Sequence, residues 1–174
     1  MYLGHVGIAL GAKGMRHELS LLVLLAATYA PDWIDGGLCM VGAYDRRGMF
    51  SHSFPAIAVV LAFVITTFRV TKREMAGVLV VCGVVMSHMI LDWITGYKPT
   101  WPGGPMIGFR LYEHPVANLF LETVVILTGV FVYRRSLPPR ARPWIDLAGM
   151  AGVLIAMQAI ITIARALTVS LPKC

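Results

Sequence analysis

The side chains best suited to chemistry in this chain are carboxylates and imidazoles at the ends of apolar segments. They are Asp32, Asp35, His52, His88 and Asp92. If successive apolar segments cross a membrane in alternate directions, all five lie on the same side. Imidazole and carboxylate ligands together suit zinc, manganese or iron. The pattern therefore predicts a metal site at one end of a helical bundle.

The pair His88 and Asp92 has the clearest spacing. Residues four apart on a helix lie on one face, where an imidazole and a carboxylate can bind one divalent ion. Ionisable groups within membrane segments are costly and are often functional. The alternative is a hydrogen bond between the two side chains that satisfies them among apolar neighbours. The spacing alone leaves both interpretations open.

Asp32 and Asp35 follow Pro31 directly and are three residues apart, so they can turn toward a common point. With Trp33 as an interfacial anchor, both acids could instead lie in water. His52 precedes the third apolar segment, near a predicted helix N-terminus, where a histidine suits metal binding and an interface equally well. Each position is ambiguous alone, and it is their convergence that favours a site.

His5 is a sixth candidate. In an antiparallel hairpin that turns at residues 13–18, positions 5 and 32 lie at similar depth, which predicts that His5 faces Asp32. A lone histidine so near the start of the chain is otherwise weak evidence. Six ligands would be enough for two ions that clamp a phosphate and activate water, whereas a single ion would leave a carboxylate or imidazole as general base.

The composition indicates an integral membrane protein. Hydrophobic residues make up 57% of the 174 residues and charged ones 14%, with a mean hydropathy of +0.73, unlike a soluble domain. Four apolar segments follow the first 50 residues, at 54–68, 75–94, 116–133 and 145–171. As helices, the last three would be about 27 Å or longer, enough to cross a hydrocarbon core of about 30 Å with little thinning, whereas the first would be about 22 Å.

The start of the chain holds two shorter apolar stretches, 2–12 and 19–30, which predict a helical hairpin. Pro31 is expected to end its second helix, because proline removes a hydrogen bond and clashes with the preceding turn. A cleaved signal peptide is the rival, but an apolar stretch ahead of Lys13 and Arg16 argues against it. Three cysteines without a C-x-x-C pair predict neither a zinc site nor a disulfide set.

No repeat or linker divides the chain. The prediction is therefore a single transmembrane domain over residues 1–174, folded as an all-α polytopic membrane bundle. The bundle would contain five or six apolar segments, including the short N-terminal helical hairpin.

Loop charge predicts the orientation. The loops at 13–18, 69–74 and 134–146 hold nine basic residues against three acidic ones, whereas the other side holds five of each. The positive-inside rule places the first group in the cytoplasm, and the candidate site on the non-cytoplasmic face of the plasma (inner) membrane. No basic cluster is interleaved with aromatic residues, so the net charge of +6 gives little support to a nucleic-acid partner.

The motifs resemble those of the YdjM-like family of membrane-bound metal-dependent hydrolases, in the same order along roughly the first 110 residues. The matching stretches are Gly4-His5, Pro31-Asp32-x-x-Asp35, Arg47-Gly48 with Ser51-His52-Ser53, and Ser87-His88-x-x-x-Asp92. The resemblance implies a metal set of His5, Asp32, Asp35, His52, His88 and Asp92. It also implies that catalytic roles fall within this set, where we predict Asp35 and His52.

This chain departs from the family pattern in two places. Gly36 stands where the family often has histidine after P-D-x-D, and Arg46 replaces the histidine expected before Arg-Gly. There is also one extra residue between Gly48 and His52. These changes leave the core set intact and weaken the case for a second metal ion.

These observations predict a hydrolase that acts on a lipid or lipid-linked ester or phosphoester, with zinc favoured over manganese or iron and one or two ions bound. The alternative is a divalent-metal transporter or metal-binding membrane protein, which would place its acids near the membrane midplane. Lipid-phosphate phosphatases also use H-x-x-x-D, but the Ser-Gly-His and arginine partners they need are missing. The loop at 96–110 is predicted either to cover the site or to lie among the lipid headgroups.

Overall fold

The computed structural model describes residues 2–43, 50–71, 74–141 and 144–167. This part of the chain forms six α-helices, which confirms the predicted all-α bundle. They are α1 (Gly4–Met15), α2 (Leu21–Met40), α3 (Phe54–Val70), α4 (Met75–Thr95), α5 (Pro115–Ser136) and α6 (Trp144–Leu167). Two short strands, β1 (Lys98–Pro99) and β2 (Met106–Ile107), form a hairpin after α4. Arg46 and the Arg47-Gly48 part of the third motif lie outside the described residues.

Three of these helices are long and apolar enough to cross a membrane. They are Met75–Thr95, Pro115–Ser136 and Asp146–Leu167. They correspond to the three segments whose predicted length matched a hydrocarbon core. The apolar segment at 54–68, which was predicted to be short, forms α3, a helix of only 17 residues.

The second helix does not end at Pro31, and that prediction was wrong. Helix α2 continues through Pro31 to Met40, so Asp32 and Asp35 lie on its last turns. Proline costs a helix one hydrogen bond, but helices of membrane proteins tolerate it where neighbouring groups satisfy the backbone. The Ser51 hydroxyl donates a hydrogen bond to the Pro31 carbonyl, which ties this part of α2 to the turn before α3, although the carbonyl that loses its helical donor is that of Ala27. Sequence propensity missed this tertiary contact.

The cysteine prediction also needs a correction. Cys39, in the last turn of α2, is disulfide-bonded, whereas Cys82 in α4 is a free thiol. An odd cysteine count does not exclude one bridge, because a single thiol can remain unpaired, as the half-buried Cys82 does. The C-terminal end of α2 therefore carries a covalent restraint.

The chain divides into two compact units, and the first comprises Met1–Leu25 and Leu111–Pro172. Within it, α1 and α6 both pack along α5, around a core that includes Leu10 and Ile126. The extensive partner of α1 is α5. This close approach depends on glycine, since a Cβ on Gly129 would overlap the backbone oxygen of Gly7.

A buried carboxylate fixes the start of α1. Glu122 is fully buried in α5, and its two oxygens accept hydrogen bonds from the backbone N–H groups of Tyr2 and Gly4, at 2.9 and 2.7 Å. The first N–H groups of a helix have no partner within the helix. Glu122 therefore caps the helix that carries His5.

The second unit is built mainly from Ala26–Arg110. Within it, α3 packs against α4 around Ile57, Val85 and Met89. The β1–β2 hairpin is held at the ends of both helices: the N–H of Phe54 bonds the carbonyl of Thr100, at 3.0 Å, and further backbone bonds join residues 109 and 110 to the end of α4. The loop at 96–110 is thus bonded to the elements that carry the candidate ligands.

Candidate metal centre

Four of the predicted site residues lie together in the second unit. Asp32 comes from α2, His52 from a 3-10 turn just before α3, and His88 and Asp92 from α4. One nitrogen or oxygen atom from each lies within 4.8 Å of the other three. His52, His88 and Asp92 are buried, and Asp32 is half-buried. These four side chains could hold a metal ion.

The distances from the two imidazole nitrogens to the other donor atoms are close to those in a tetrahedral site. His52 Nε2 lies 3.0 Å from Asp92 Oδ2, 3.1 Å from His88 Nε2 and 3.4 Å from Asp32 Oδ1. His88 Nε2 is 3.8 Å from each of the two carboxylate oxygens. A tetrahedral zinc ion with bonds of about 2.0–2.1 Å would separate its ligand atoms by about 3.3 Å. The donor set therefore fits one ion in both chemistry and size.

The spacing of His88 and Asp92 places them on one helix face, as predicted. Their nearest atoms, Nε2 and Oδ2, are 3.8 Å apart, which is too long for a hydrogen bond. The alternative interpretation, that the two residues simply bond each other, does not describe this geometry. Both atoms point instead into the space shared with His52 and Asp32.

Asp35 bonds the opposite ring nitrogen of His52. Its Oδ2 lies 2.8 Å from His52 Nδ1, and its Oδ1 accepts a hydrogen bond from the N–H of Ser51 at 2.9 Å. A carboxylate can only accept, so Nδ1 carries the proton and Nε2 is the nitrogen directed at the four-atom cluster. Metal-binding histidines commonly donate their second N–H to a carboxylate in this way. Asp35 was predicted as a ligand, but it is not one of the four.

The same contacts change the acidity of His52, which lies in the turn before α3. Burial lowers its pKa, but hydrogen bonds to Asp32, Asp35 and Asp92 outweigh burial and the opposing charge of Lys98, and they raise the pKa to about 9. Without a metal ion, the ring is therefore protonated at neutral pH. Its Nε2 proton then lies among the same donor atoms that an ion would occupy.

Lys98 is a component that sequence reasoning missed. Its Nζ lies 2.9 Å from Asp92 Oδ2, and its side chain is 7% exposed. It belongs to β1, whose register pairs Lys98 with Ile107. The signal available in the sequence was a lysine six residues after Asp92, within the turn-rich loop. Only the hairpin directs that lysine toward the centre, so loop charge alone could not reveal it.

His5, the sixth predicted residue, is fully buried in α1 and belongs to the first unit. It is not one of the four clustered donors. Its predicted position opposite Asp32 stays a prediction.

Comparison with known proteins extends the resemblance. Residues 3–166 match the family model described as YdjM inner membrane protein. The match covers all four donors and runs well beyond the first 110 residues. The family is one of inner membrane proteins, in keeping with three helices long enough to span a bilayer. No curated protein and no solved structure matches the chain. On the strength of the family match, the chain belongs to the YdjM inner membrane protein family.

Proposed function

We propose that the protein is a membrane-bound, metal-dependent hydrolase that acts on a lipid or lipid-linked ester or phosphoester. The observation that carries this proposal is the close spacing of four donor atoms, three of them on buried side chains. Burying charged groups costs several kcal/mol per ion unless partners compensate it. A bound divalent cation would provide that compensation.

The burial of the donors divides them into two roles. His52, His88 and Asp92 are buried and would hold the ion, with Asp35 fixing the ring of His52. Asp32 is the accessible member, with 39% of its side chain exposed. A catalytic zinc site typically uses three protein ligands and keeps a fourth position for water or substrate. Asp32 would lie beside that fourth position, where it could accept a proton from the water.

Zinc is the favoured ion because two imidazoles and a carboxylate are ligands that it prefers, and manganese or iron are the alternatives. The four atoms lie so close together that they would serve a single ion. We therefore propose one ion per chain.

When bound, the ion would polarise the ester oxygen and make a water molecule more acidic. Asp32 would accept a proton from that water and return it to the leaving oxygen. The water oxygen would join the phosphorus or the carbonyl carbon as the bond to the leaving oxygen breaks. We assign this proton transfer to Asp32 in place of the predicted Asp35 and His52, because those two are buried and bonded to each other.

The centre is proposed to face the non-cytoplasmic side. The end of α2, the start of α3 and the end of α4 would share one side of the membrane if α3 and α4 cross it in succession. The loops of the other side carry nine of the fifteen basic residues, as cytoplasmic loops do.

Exposed aromatic side chains support a membrane substrate. Trp33 on α2 is 61% exposed and Trp101 on the hairpin 56% exposed. Trp101 also contacts the ring of Phe54 at the start of α3. Tryptophan concentrates at the level of lipid headgroups. A headgroup ester would then lie at the depth of the metal centre.

The test is hydrolysis by purified protein in detergent micelles that contain lipid esters and phosphoesters. We expect activity that chelation abolishes and that one equivalent of zinc, manganese or iron restores. Chelator-resistant activity would contradict the proposed mechanism. Absence of hydrolysis together with metal flux into proteoliposomes would replace the enzyme with a transporter.

A further inference from the structure

Arg165 lies in the last turn of α6, two residues before the end of a helix that is long and apolar enough to cross a membrane. A span of 22 residues is about 33 Å long, slightly more than a hydrocarbon core of about 30 Å. The two residues after Arg165 add about 3 Å along the helix axis. Arg165 is therefore expected at the boundary between the acyl chains and the lipid headgroups.

Two tyrosine side chains fix the position of the Arg165 guanidinium group. One of its N–H groups donates a hydrogen bond to the Tyr2 hydroxyl at 2.6 Å, and its central carbon lies 3.9 Å from the centre of the Tyr112 ring. The two tyrosine rings also contact each other, with their centres 5.6 Å apart. Contacts between a guanidinium group and aromatic rings are favourable. The exposed cation is thus oriented by its neighbours.

The backbone behind these side chains is held by buried groups. The N–H of Tyr2 bonds Glu122 in α5 at 2.9 Å, and the N–H of Leu3 bonds Gln158 in α6 at 3.0 Å. Both acceptor side chains are fully buried. Tyr112 lies in a 3-10 turn just before α5. The two tyrosines are therefore positioned independently of Arg165, and removal of the guanidinium group should leave the packing intact.

The charge of Arg165 has no carboxylate partner in the part of the chain that the structure describes. None of the ion pairs there includes Arg165. A guanidinium group has five N–H donors, and the Tyr2 hydroxyl accepts one of them. The helix dipole favours a cation in the last turn of a helix, but it does not account for the tyrosine contacts. An oriented guanidinium group at this depth matches an anion that the membrane supplies.

The surface around Arg165 is apolar. Leu167 on α6 is exposed, and so are Val116 and Phe120 near the start of α5. The contact of Arg165 with Tyr112 brings the start of α5 beside the end of α6. Exposed apolar surface of this kind marks contact with a membrane or a partner. A cation at the edge of such a surface fits an amphipathic anion, namely a phosphate group that carries acyl chains.

We propose that Arg165 binds the phosphate group of a membrane phospholipid, whose acyl chains lie against the apolar ends of α5 and α6. The planar guanidinium fork matches two phosphate oxygens. This inference does not depend on the proposed hydrolase. Arg165, Tyr2 and Tyr112 belong to the first unit, whereas all four metal donors belong to the second. The lipid would be a bound component of the first unit.

The experiment uses the full-length protein in detergent and dioleoyl phosphatidylglycerol as the probe. Native mass spectrometry measures the fraction of protein that carries one lipid over a titration. Dioleoylglycerol, which has the same acyl chains without the phosphate, forms the second arm, and inorganic phosphate as a competitor forms the third. We expect phosphatidylglycerol to bind about 10-fold or more tightly than dioleoylglycerol, and inorganic phosphate at equal concentration not to displace it.

Three variants test the role of Arg165. Arg165→Gln should weaken phosphatidylglycerol binding about 10-fold or more, since it removes the charged hydrogen bonds. Arg165→Lys should bind with intermediate affinity, because lysine keeps the charge and loses the planar fork. Arg135→Gln is the matched control, because Arg135 is also exposed near a helix end with its guanidinium group over an aromatic ring, that of Phe131. Thermal unfolding checks that each variant is folded.

Four outcomes would overturn the inference. Equal lipid affinity in Arg165→Gln and the wild type would show that the lipid binds elsewhere, and an equal loss in Arg135→Gln would show that only net charge matters. Dioleoylglycerol binding as tight as that of phosphatidylglycerol would assign the affinity to the acyl chains alone. Displacement by inorganic phosphate at equal concentration would make the site one for free phosphate.

Discussion

Asp35 and His52 are joined by a hydrogen bond of 2.8 Å on the ring nitrogen that faces away from the four donor atoms. The bond fixes both the orientation of the imidazole and the nitrogen that carries the proton. Asp35 therefore acts on the metal centre through His52.

Replacement of Asp35 by Asn should weaken metal binding without abolishing it. The amide removes the negative charge that favours the required form of His52, and loss of such a partner typically costs 10- to 100-fold in metal affinity. Competition with a chromophoric chelator measures the change. Asp146→Asn, an exposed acid in α6, is the control and should bind metal like the wild type. Equal affinity for the Asp35 variant would remove its proposed role.

Replacement of His88 by Ala should lower metal occupancy about 10-fold or more, because loss of a ligand should cost at least as much as loss of its supporting partner. Elemental analysis of the purified variant measures the number of metal ions bound per chain. His114→Ala is the matched control, since His114 is exposed and lies outside the cluster. Full occupancy in the His88 variant would show that the ion binds elsewhere.

Replacement of Asp32 by Asn should reduce turnover about 100- to 10,000-fold, the usual contribution of a general base. Metal content should stay near that of the wild type, because three buried donors remain. Rate and zinc content must be measured on the same preparation. Parallel loss of both would make Asp32 a required ligand and leave the proton transfer unassigned.

Metal affinity should rise with pH up to about 9. A metal ion binds the neutral imidazole, but the pKa of His52 in the metal-free protein is raised to about 9. Below that pH a proton must leave His52 on binding, so each unit of acidification should cost about tenfold in affinity. Titration in metal buffers between pH 6.5 and 9 measures how the metal affinity changes with pH. An affinity independent of pH over this range would contradict a protonated His52.

Replacement of Gly129 by Ala should destabilise the first unit. The new Cβ would overlap the backbone of Gly7, so α1 and α5 would have to separate, and overpacking of this kind typically costs about 1–3 kcal/mol. Gly149→Ala is the control, because nothing lies within 4 Å of a Cβ at that position in α6. Alanine there should be neutral or slightly stabilising. Thermal unfolding in detergent should separate the two variants.

Local patterns predicted much of this protein. The length of the apolar segments identified the long helices, and the spacing of His88 and Asp92 placed both on one face of α4, because both features depend on helix periodicity alone. The convergence of Asp32 and His52 followed from alternation across a membrane. These predictions needed no knowledge of which helices are neighbours.

The features that the sequence did not reveal depend on contacts between distant segments. Helix α2 continues through Pro31. The Pro31 carbonyl accepts a hydrogen bond from Ser51, which lies twenty residues further along the chain. Lys98 reaches Asp92 only because a hairpin register directs it there. The packing of α1 on α5, which Gly7 and Gly129 allow, likewise joins distant segments of the chain.

The bonds between α2 and the turn before α3 have a consequence for variation within the family. Asp35 accepts from the N–H of Ser51 and bonds the ring of His52, while Ser51 bonds Pro31. The position of His52 is thus set by α2 directly, and not by the number of residues that connect the two. A change in the length of this connection could therefore be accommodated without moving the imidazole. Sequence comparison within the family should align His52 by its contact with Asp35 and allow the connection to vary in length.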